Sequence, residues 1–417
     1  GGDERLASRV TVPLLWREGA FCFNYSLIER RADGVNTGSS FWGVADTGSP
    51  FLLVGRCLRR DCPEYCSQWG CFVGNGVPFG LKDTVEVYVS GEARVEWRRG
   101  VDLAFLGAKA APEGAALAAR DLVFGVQNEV AGRGGTGNGV FIGLVRSHAA
   151  DIRPSFLEQT PFTSLAFDLR TPGREALTLL AAPRSGWRLG GAEALLTPVE
   201  GGAVGTLRMV DPQAWGDPVS HYAVITTAVV VGGRRLPPVA AEGDVAEKER
   251  RSRRVLCIFD TGTTGVSMTP GLHAAYYNEA MKSAAAGSIP FSQARRLEFV
   301  FEQEGGGELV LDMFIGRHPQ YGPGLDLVTM VEEVAWAGIG DPQSLSSYRS
   351  PDGRTALGGD VAQGLPFDDV AFLGLGFLLG RRLALDATGR RLAIDVARIV
   401  PPGAAVAPSR AMAGQRD

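Results

Sequence analysis

Long helical patterns and long hydrophobic runs are both missing from this chain of 417 residues. The most apolar stretch, Val370 to Gly380, is cut off by Arg381 and Arg382 and is too short to cross a bilayer as a helix. A surplus of charge is missing too. The 42 lysines and arginines face 46 aspartates and glutamates, and the net charge of −4 supplies no attraction for nucleic acid. Histidine is rare: His148, His221, His273 and His318 stand far apart, outside any metal-ligand or nucleophilic pattern. No signal-peptide pattern opens the chain at Gly1, which reads as a sequence already processed or begun after a removed leader.

Glycine is plentiful, at 56 residues, and with 24 prolines it favours many turns and short strands. A hydrophobic share of 45% with 21% charged residues fits an ordinary folded protein, and the length predicts two lobes rather than one core. Strand-type runs recur at Thr84–Val89, Val101–Gly107, Asp121–Val126, His221–Gly233, Arg296–Gln303, Gly307–Ile315, Arg381–Gly389 and Arg390–Ala397. The expected fold class is therefore all-β, mainly strands with a few short helices. The clearest helix pattern runs from Pro270 to Gly287, with proline at its start and glycine at its end, and a shorter one spans Arg153 to Thr160. Asp386 to Gly389 reads as a hairpin turn. The charged run Glu242–Arg254 reads as a solvated loop. Gly132–Gly139 lacks the lysine and following helix of a phosphate loop and reads as a turn-rich connection.

One pattern occurs twice. Phe41 to Val54 places Asp46-Thr47-Gly48-Ser49 after an apolar strand, and Val255 to Met268 places Asp260-Thr261-Gly262-Thr263 after another. About a hundred residues beyond each lies a second apolar run ending in glycine, Phe141-Ile142-Gly143 and Phe372-Leu373-Gly374. Such a repeat implies two similar halves, each carrying one Asp-Thr-Gly loop. A lone buried carboxylate is costly unless paired or hydrogen-bonded. Two carboxylates face to face cannot both ionise cheaply, so they share a proton, and one becomes a general base and the other a general acid. Gly48 and Gly262 allow tight turns and close backbone approach. Ser49 and Thr263 put hydroxyls within reach of the outer carboxylate oxygens, and Thr47 and Thr261 can brace one loop against the other. Such chemistry requires neither metal nor cofactor.

These motifs resemble those of the pepsin-like family of eukaryotic aspartic proteases, from about Phe21 to Ala397. The resemblance implies a bilobal pepsin-like acid protease fold with pseudo-twofold symmetry and a central cleft. Residues 1–200 would form the N-terminal β lobe with the first motif and a flap, 201–400 the C-terminal β lobe with the second, and 401–417 a flexible tail. It further implies an endopeptidase with catalytic Asp46 and Asp260, acting on a polypeptide substrate as a monomer. In the family a flap tyrosine contacts substrate, and Tyr88 with Gly91 is the candidate here, with Trp97 as the fallback or as a plain core aromatic. The chain departs from the family at Pro50, where a serine is usual, at Leu53, where a tryptophan commonly supports the flap, and at Asn138, where an aspartate is frequent.

The cysteines Cys57, Cys62, Cys66 and Cys71 are separated by gaps of four, three and four residues. Short-loop disulfides and a four-thiolate zinc site both remain open, and the lack of a two-residue knuckle favours disulfides. The first two resemble the small disulfide loop of pepsins, and the extra pair resembles nepenthesin-type members. Disulfides imply a secretory, vacuolar or other oxidising lumen; a chloroplast protein freed of its transit peptide is the alternative. Cys257 reads as a buried thiol packing as a small hydrophobe. Against the enzyme reading stands an inactive accessory subunit of a larger assembly, kept open by the altered flap region.

Overall fold

Alternating and continuous apolar runs both become strands, and the difference between them decides where each strand sits. Arg9–Pro13 alternates exposed and buried positions along one face of a sheet. Val255–Phe259 is buried at every position, between Ala223–Ile225, which is antiparallel to it, and Asp369–Leu373, which is parallel. The computed structural model describes residues 6–30, 36–56, 68–74, 76–80, 83–88, 91–111, 117–131, 140–146, 154–181, 203–215, 217, 219–238, 252–285, 294–313, 365–396 and 398–400. Among them the chain is mainly β, in sheets of nine, seven, five and four strands. No described helix is long and apolar enough to cross a membrane. The expected tail, the glycine-rich loop and most of the charged run lie outside the described residues, as does the boundary near residue 200.

The nine-stranded sheet closes on itself. Ala20–Arg30 pairs with Asn36–Asp46, which pairs with Val140–Gly143, then Leu52–Gly55, then Leu117–Ala131, then Gly91–Phe105, which returns to Ala20–Arg30. Closure leaves no free edge in the ring and turns its inner face into a core. Beyond this ring the seven-stranded sheet draws on both halves of the sequence. Phe162–Asp168 pairs antiparallel with Arg382–Asp386, and Arg391–Val396 and Ala203–Arg208 extend the sheet from there. One apolar cluster runs through both halves, from Val10 and Phe21 to Leu383 and Ile394.

Local chemistry agrees with these elements. The expected helix spans Pro270–Ala285 and buries Leu272, Tyr276 and Ala280. The shorter one is a single 3-10 turn, Leu157–Gln159. Ahead of it Ser155 and Glu158 exchange backbone-to-side-chain bonds at 2.7 and 3.2 Å, a reciprocal capping arrangement. Gln159 then ties the turn to the closed sheet through both the N–H and the C=O of Val123. At the hairpin of the last two long strands, Asp386 Oδ1 accepts the backbone N–H of Thr388 and of Gly389.

Beneath the second Asp-Thr-Gly loop lies a buried ion pair. Arg253 Nε donates to Asp369 Oδ2 at 2.6 Å, and Thr269 Oγ1 donates to the other oxygen at 2.7 Å. Each partner's side chain is under a tenth exposed. Asp369→Ala leaves the Arg253 charge unpaired in the core, and the expected loss is about 3–5 kcal/mol. Urea unfolding checks this as a lower midpoint with an unchanged slope.

Candidate active site

Both aspartates sit where a strand runs out. Asp46 is the last residue of Asn36–Asp46, and Asp260 directly follows Val255–Phe259. Each loop then doubles back into a short strand, Leu52–Gly55 or Val266–Met268. Between the two arms runs a third strand, Val140–Gly143 or Asp369–Leu373, parallel to the first arm and antiparallel to the second. The arrangement is the same in both halves, and it explains the glycine that closes each third strand. A Cβ on Gly143 would lie 2.4 Å from the backbone nitrogen of Phe51, and one on Gly374 would lie 2.2 Å from the carbonyl oxygen of Thr263. Only a residue without a side chain lets the loop cross there.

The two loops are locked by their threonines. The Thr47 N–H donates to Thr261 Oγ1 at 3.1 Å, and the Thr261 N–H donates to Thr47 Oγ1 at 2.9 Å. Each hydroxyl passes its own proton onward, Thr47 to the Phe259 carbonyl at 2.7 Å and Thr261 to the Ala45 carbonyl at 2.5 Å. All four groups are buried and satisfied, which gives such a network rigidity. The lock brings the carboxylates together. A Cβ on Gly48 would lie 2.6 Å from Asp260 Cγ, and one on Gly262 would lie 2.5 Å from Asp46 Oδ1. Each loop's glycine thus faces the other loop's carboxylate.

Both acids are supplied alike. Gly48 N–H donates to Asp46 Oδ1 and Gly262 N–H donates to Asp260 Oδ1, each at 2.8 Å. The Ser49 hydroxyl bonds Asp46, and Thr263 Oγ1 donates to Asp260 Oδ2 at 2.7 Å. Burial raises the pKa of Asp46 from 3.8 to about 8, and the neighbouring Asp260 carboxylate pushes the same way, against the bonds from Ser49 and Gly48.

Three residues that the sequence reading passed over reach this site. His221 places Nε2 3.0 Å from the carbonyl oxygen of Gly48 and Nδ1 2.8 Å from Asp217 Oδ2. The next residue, Tyr222, donates its hydroxyl to the Leu144 carbonyl at 2.6 Å. Asp217 and His221 stand four apart, but Pro218 between them argues against a helix, so their spacing carried no geometric signal.

Of the other expected residues, Tyr88 and Gly91 face each other in a hairpin, Thr84–Tyr88 against Gly91–Phe105, and the side chain of Tyr88 lies outside what the structure describes. Trp97 is core: it is buried, donates its indole N–H to Thr84 Oγ1 at 3.0 Å and packs edge-on against Phe51. Leu53 joins the same cluster, which closes over Gly125. Cys57, Cys62 and Cys66 lie outside the described residues. Cys22 and Cys257 are buried free thiols, and burial raises both pKa values. Neither a comparison with protein-family models nor one with curated proteins found a match for the chain.

Two outcomes follow from this geometry. Gly48→Ala drives a methyl group into the Asp260 carboxylate, so the loops must part, and calorimetry is expected to show a lower Tm as the threonine lock loosens. Between its ordinary value of 3.8 and about 8, Asp46 keeps a proton that the unfolded chain has lost. Stability therefore falls as pH rises across that interval. Asp46→Asn, which has no proton to lose, flattens the fall, as measured by urea midpoints from pH 4 to 8.

Proposed function

We propose that the chain is an aspartic endopeptidase with the pepsin-like bilobal fold, hydrolysing peptide bonds with a water activated between Asp46 and Asp260. One observation carries this reading: two loops of the same sequence pattern, locked through Thr47 and Thr261, bring two buried carboxyl groups together, each against the other loop's glycine, and hold a proton on Asp46. The strand pattern repeated around each loop supports the pseudo-twofold pair of lobes.

Asp46, which keeps its proton, is the general acid, and Asp260 is the general base. Water gives its proton to Asp260 as its oxygen attacks the peptide carbonyl, and Asp46 protonates the carbonyl oxygen to leave a neutral gem-diol. When the C–N bond breaks, the nitrogen takes the proton from Asp260 and one diol hydroxyl returns its proton to Asp46. The pair ends as it began, and no covalent intermediate forms. Ser49 and Thr263 hold the outer oxygens so that the carboxylates keep one plane of approach to the substrate. In this reading the hairpin that pairs Tyr88 with Gly91 is the flap, and the cysteine cluster forms disulfides.

The test is cleavage of a denatured polypeptide from pH 3 to 8, with and without a pepstatin-like inhibitor. Asp46→Asn and Asp260→Asn are each expected to lower kcat by about 10²–10⁴-fold. Activity is expected to fall as pH rises through about 8, where Asp46 loses its proton. A wild-type protein that cleaves nothing and ignores the inhibitor would overturn the peptidase reading in favour of the accessory subunit.

A further inference from the structure

Both contacts of the His221 ring end on acceptors. A backbone carbonyl, that of Gly48, can only accept, so Nε2 must carry a hydrogen. Asp217 Oδ2 lies 2.8 Å from Nδ1, and the other oxygen, Oδ1, accepts the Val219 N–H at 2.8 Å. Two lone pairs cannot face each other at that distance, so a proton lies between Nδ1 and Oδ2, and imidazole, the more basic of the two groups, holds it. A ring that donates from both nitrogens is an imidazolium.

We propose that His221, charged and paired with Asp217, is a positioning residue for the first catalytic loop: it fixes the Gly48–Ser49 peptide and sets a positive charge beside the Asp46–Asp260 pair. The catalytic side of this role rests on the peptidase reading above. The carbonyl that His221 grips belongs to the peptide leading into Ser49, whose hydroxyl bonds Asp46, so the grip orients that hydroxyl. Tyr222, the neighbouring residue, holds the Leu144 carbonyl, and the Leu144 N–H donates to the carbonyl of Asp46 at 2.7 Å. Two consecutive residues of the second half thereby clamp the loop of the first from two sides.

Among the described residues the charges around the ring are few. Asp217 lies on its own segment and Asp260 acts from the facing loop. The Arg390 guanidinium bonds the His221 carbonyl at 3.3 Å, and Asp211 accepts the Ser220 hydroxyl at 2.9 Å. The ring also meets Phe372 edge-on. Burial opposes the charge on His221, but the attraction and hydrogen bond of Asp217, the Gly48 carbonyl and Asp260 outweigh it and raise the pKa above 6.5. The stability this link contributes is thus complete below the unfolded value of 6.5 and is lost as pH rises through the raised folded value.

The full chain, labelled with ¹⁵N in histidine, tests the proposal by NMR alongside peptidase kinetics. In the wild type the His221 ring is expected to keep two protonated nitrogens above pH 6.5, with the transition moved to lower pH by Asp217→Asn and also by Asp260→Asn. His221→Gln is expected to lower kcat by about tenfold to a hundredfold with little change in KM. It is also expected to move the acid limb of kcat/KM to higher pH, because removing a positive charge makes the first ionisation of the pair harder. A ring with a single N–H at pH 5.5 overturns the proposal, even if His221→Gln fails to fold. So does a folded His221→Gln protein with wild-type kcat and acid limb. If the wild type cleaves nothing while the ring titrates as described and responds to Asp260→Asn, the charge beside the pair is supported and only the peptidase reading falls.

Discussion

Two buried carboxyl groups repel unless they share a proton, and sharing requires their loops to be held together more firmly than the charges push apart. The crossed bonds of Thr47 and Thr261 meet that requirement, joining residues 214 positions apart in the chain. Much of the surrounding architecture follows from it. The lock needs each loop to leave a strand and return alongside it, which is why a third strand runs between the arms in both halves. The crossing needs Gly143 and Gly374, and the close approach of the carboxylates needs Gly48 and Gly262. The seven-stranded sheet shared by both halves then holds the two ends of the lock in register from outside.

Doubling made the site legible. A single Asp-Thr-Gly is a common tripeptide, whereas two of them, each followed by an apolar run ending in glycine, define four positions that must meet. The strand runs and the Pro270 helix were legible for the ordinary reason that burial repeats with the geometry of the element. The pairing of Phe162–Asp168 with Arg382–Asp386 was not, because partners more than two hundred residues apart leave no local trace. Nor was His221. As one of four scattered histidines it matched no pattern, and what gives it a role is the fold that lays it against Gly48. Trp97 shows the converse. Its position suggested a flap residue, but the hydrogen bond to Thr84 and the packing on Phe51 and Leu53 make it part of the hairpin's base. Leu53 meets the Trp97 indole in this cluster across Gly125, on the strand that runs between them.

The two buried acidic sites at opposite ends of Val255–Phe259 are treated in opposite ways. Asp369 has a guanidinium at 2.6 Å and a hydroxyl on its other oxygen, so its charge is fully compensated and it serves only to hold strands. Asp46 and Asp260 receive backbone N–H groups and hydroxyls but, among the described residues, no direct cation. A cation bonded to either carboxylate would stabilise the ionised form and remove the shared proton. The same absence costs stability as the pH rises, a cost the threonine lock and the common core must offset.

His221 occupies the position that this constraint leaves open. Bonded to a carboxylate of the pair, an imidazolium would take the place of the shared proton; placed far away, it would be screened and without effect. Bonded to the Gly48 carbonyl, it stands one residue removed from the hydroxyl that holds Asp46. From there its field favours one ionised carboxylate without closing a salt bridge on either. Asp217 keeps the ring charged and aimed, and because its own second oxygen is tied to the Val219 N–H, the pair turns as one unit with its backbone. The charge that tunes the acids is therefore carried by the opposite half of the protein, so the loops must be assembled before their proton can be shared on these terms.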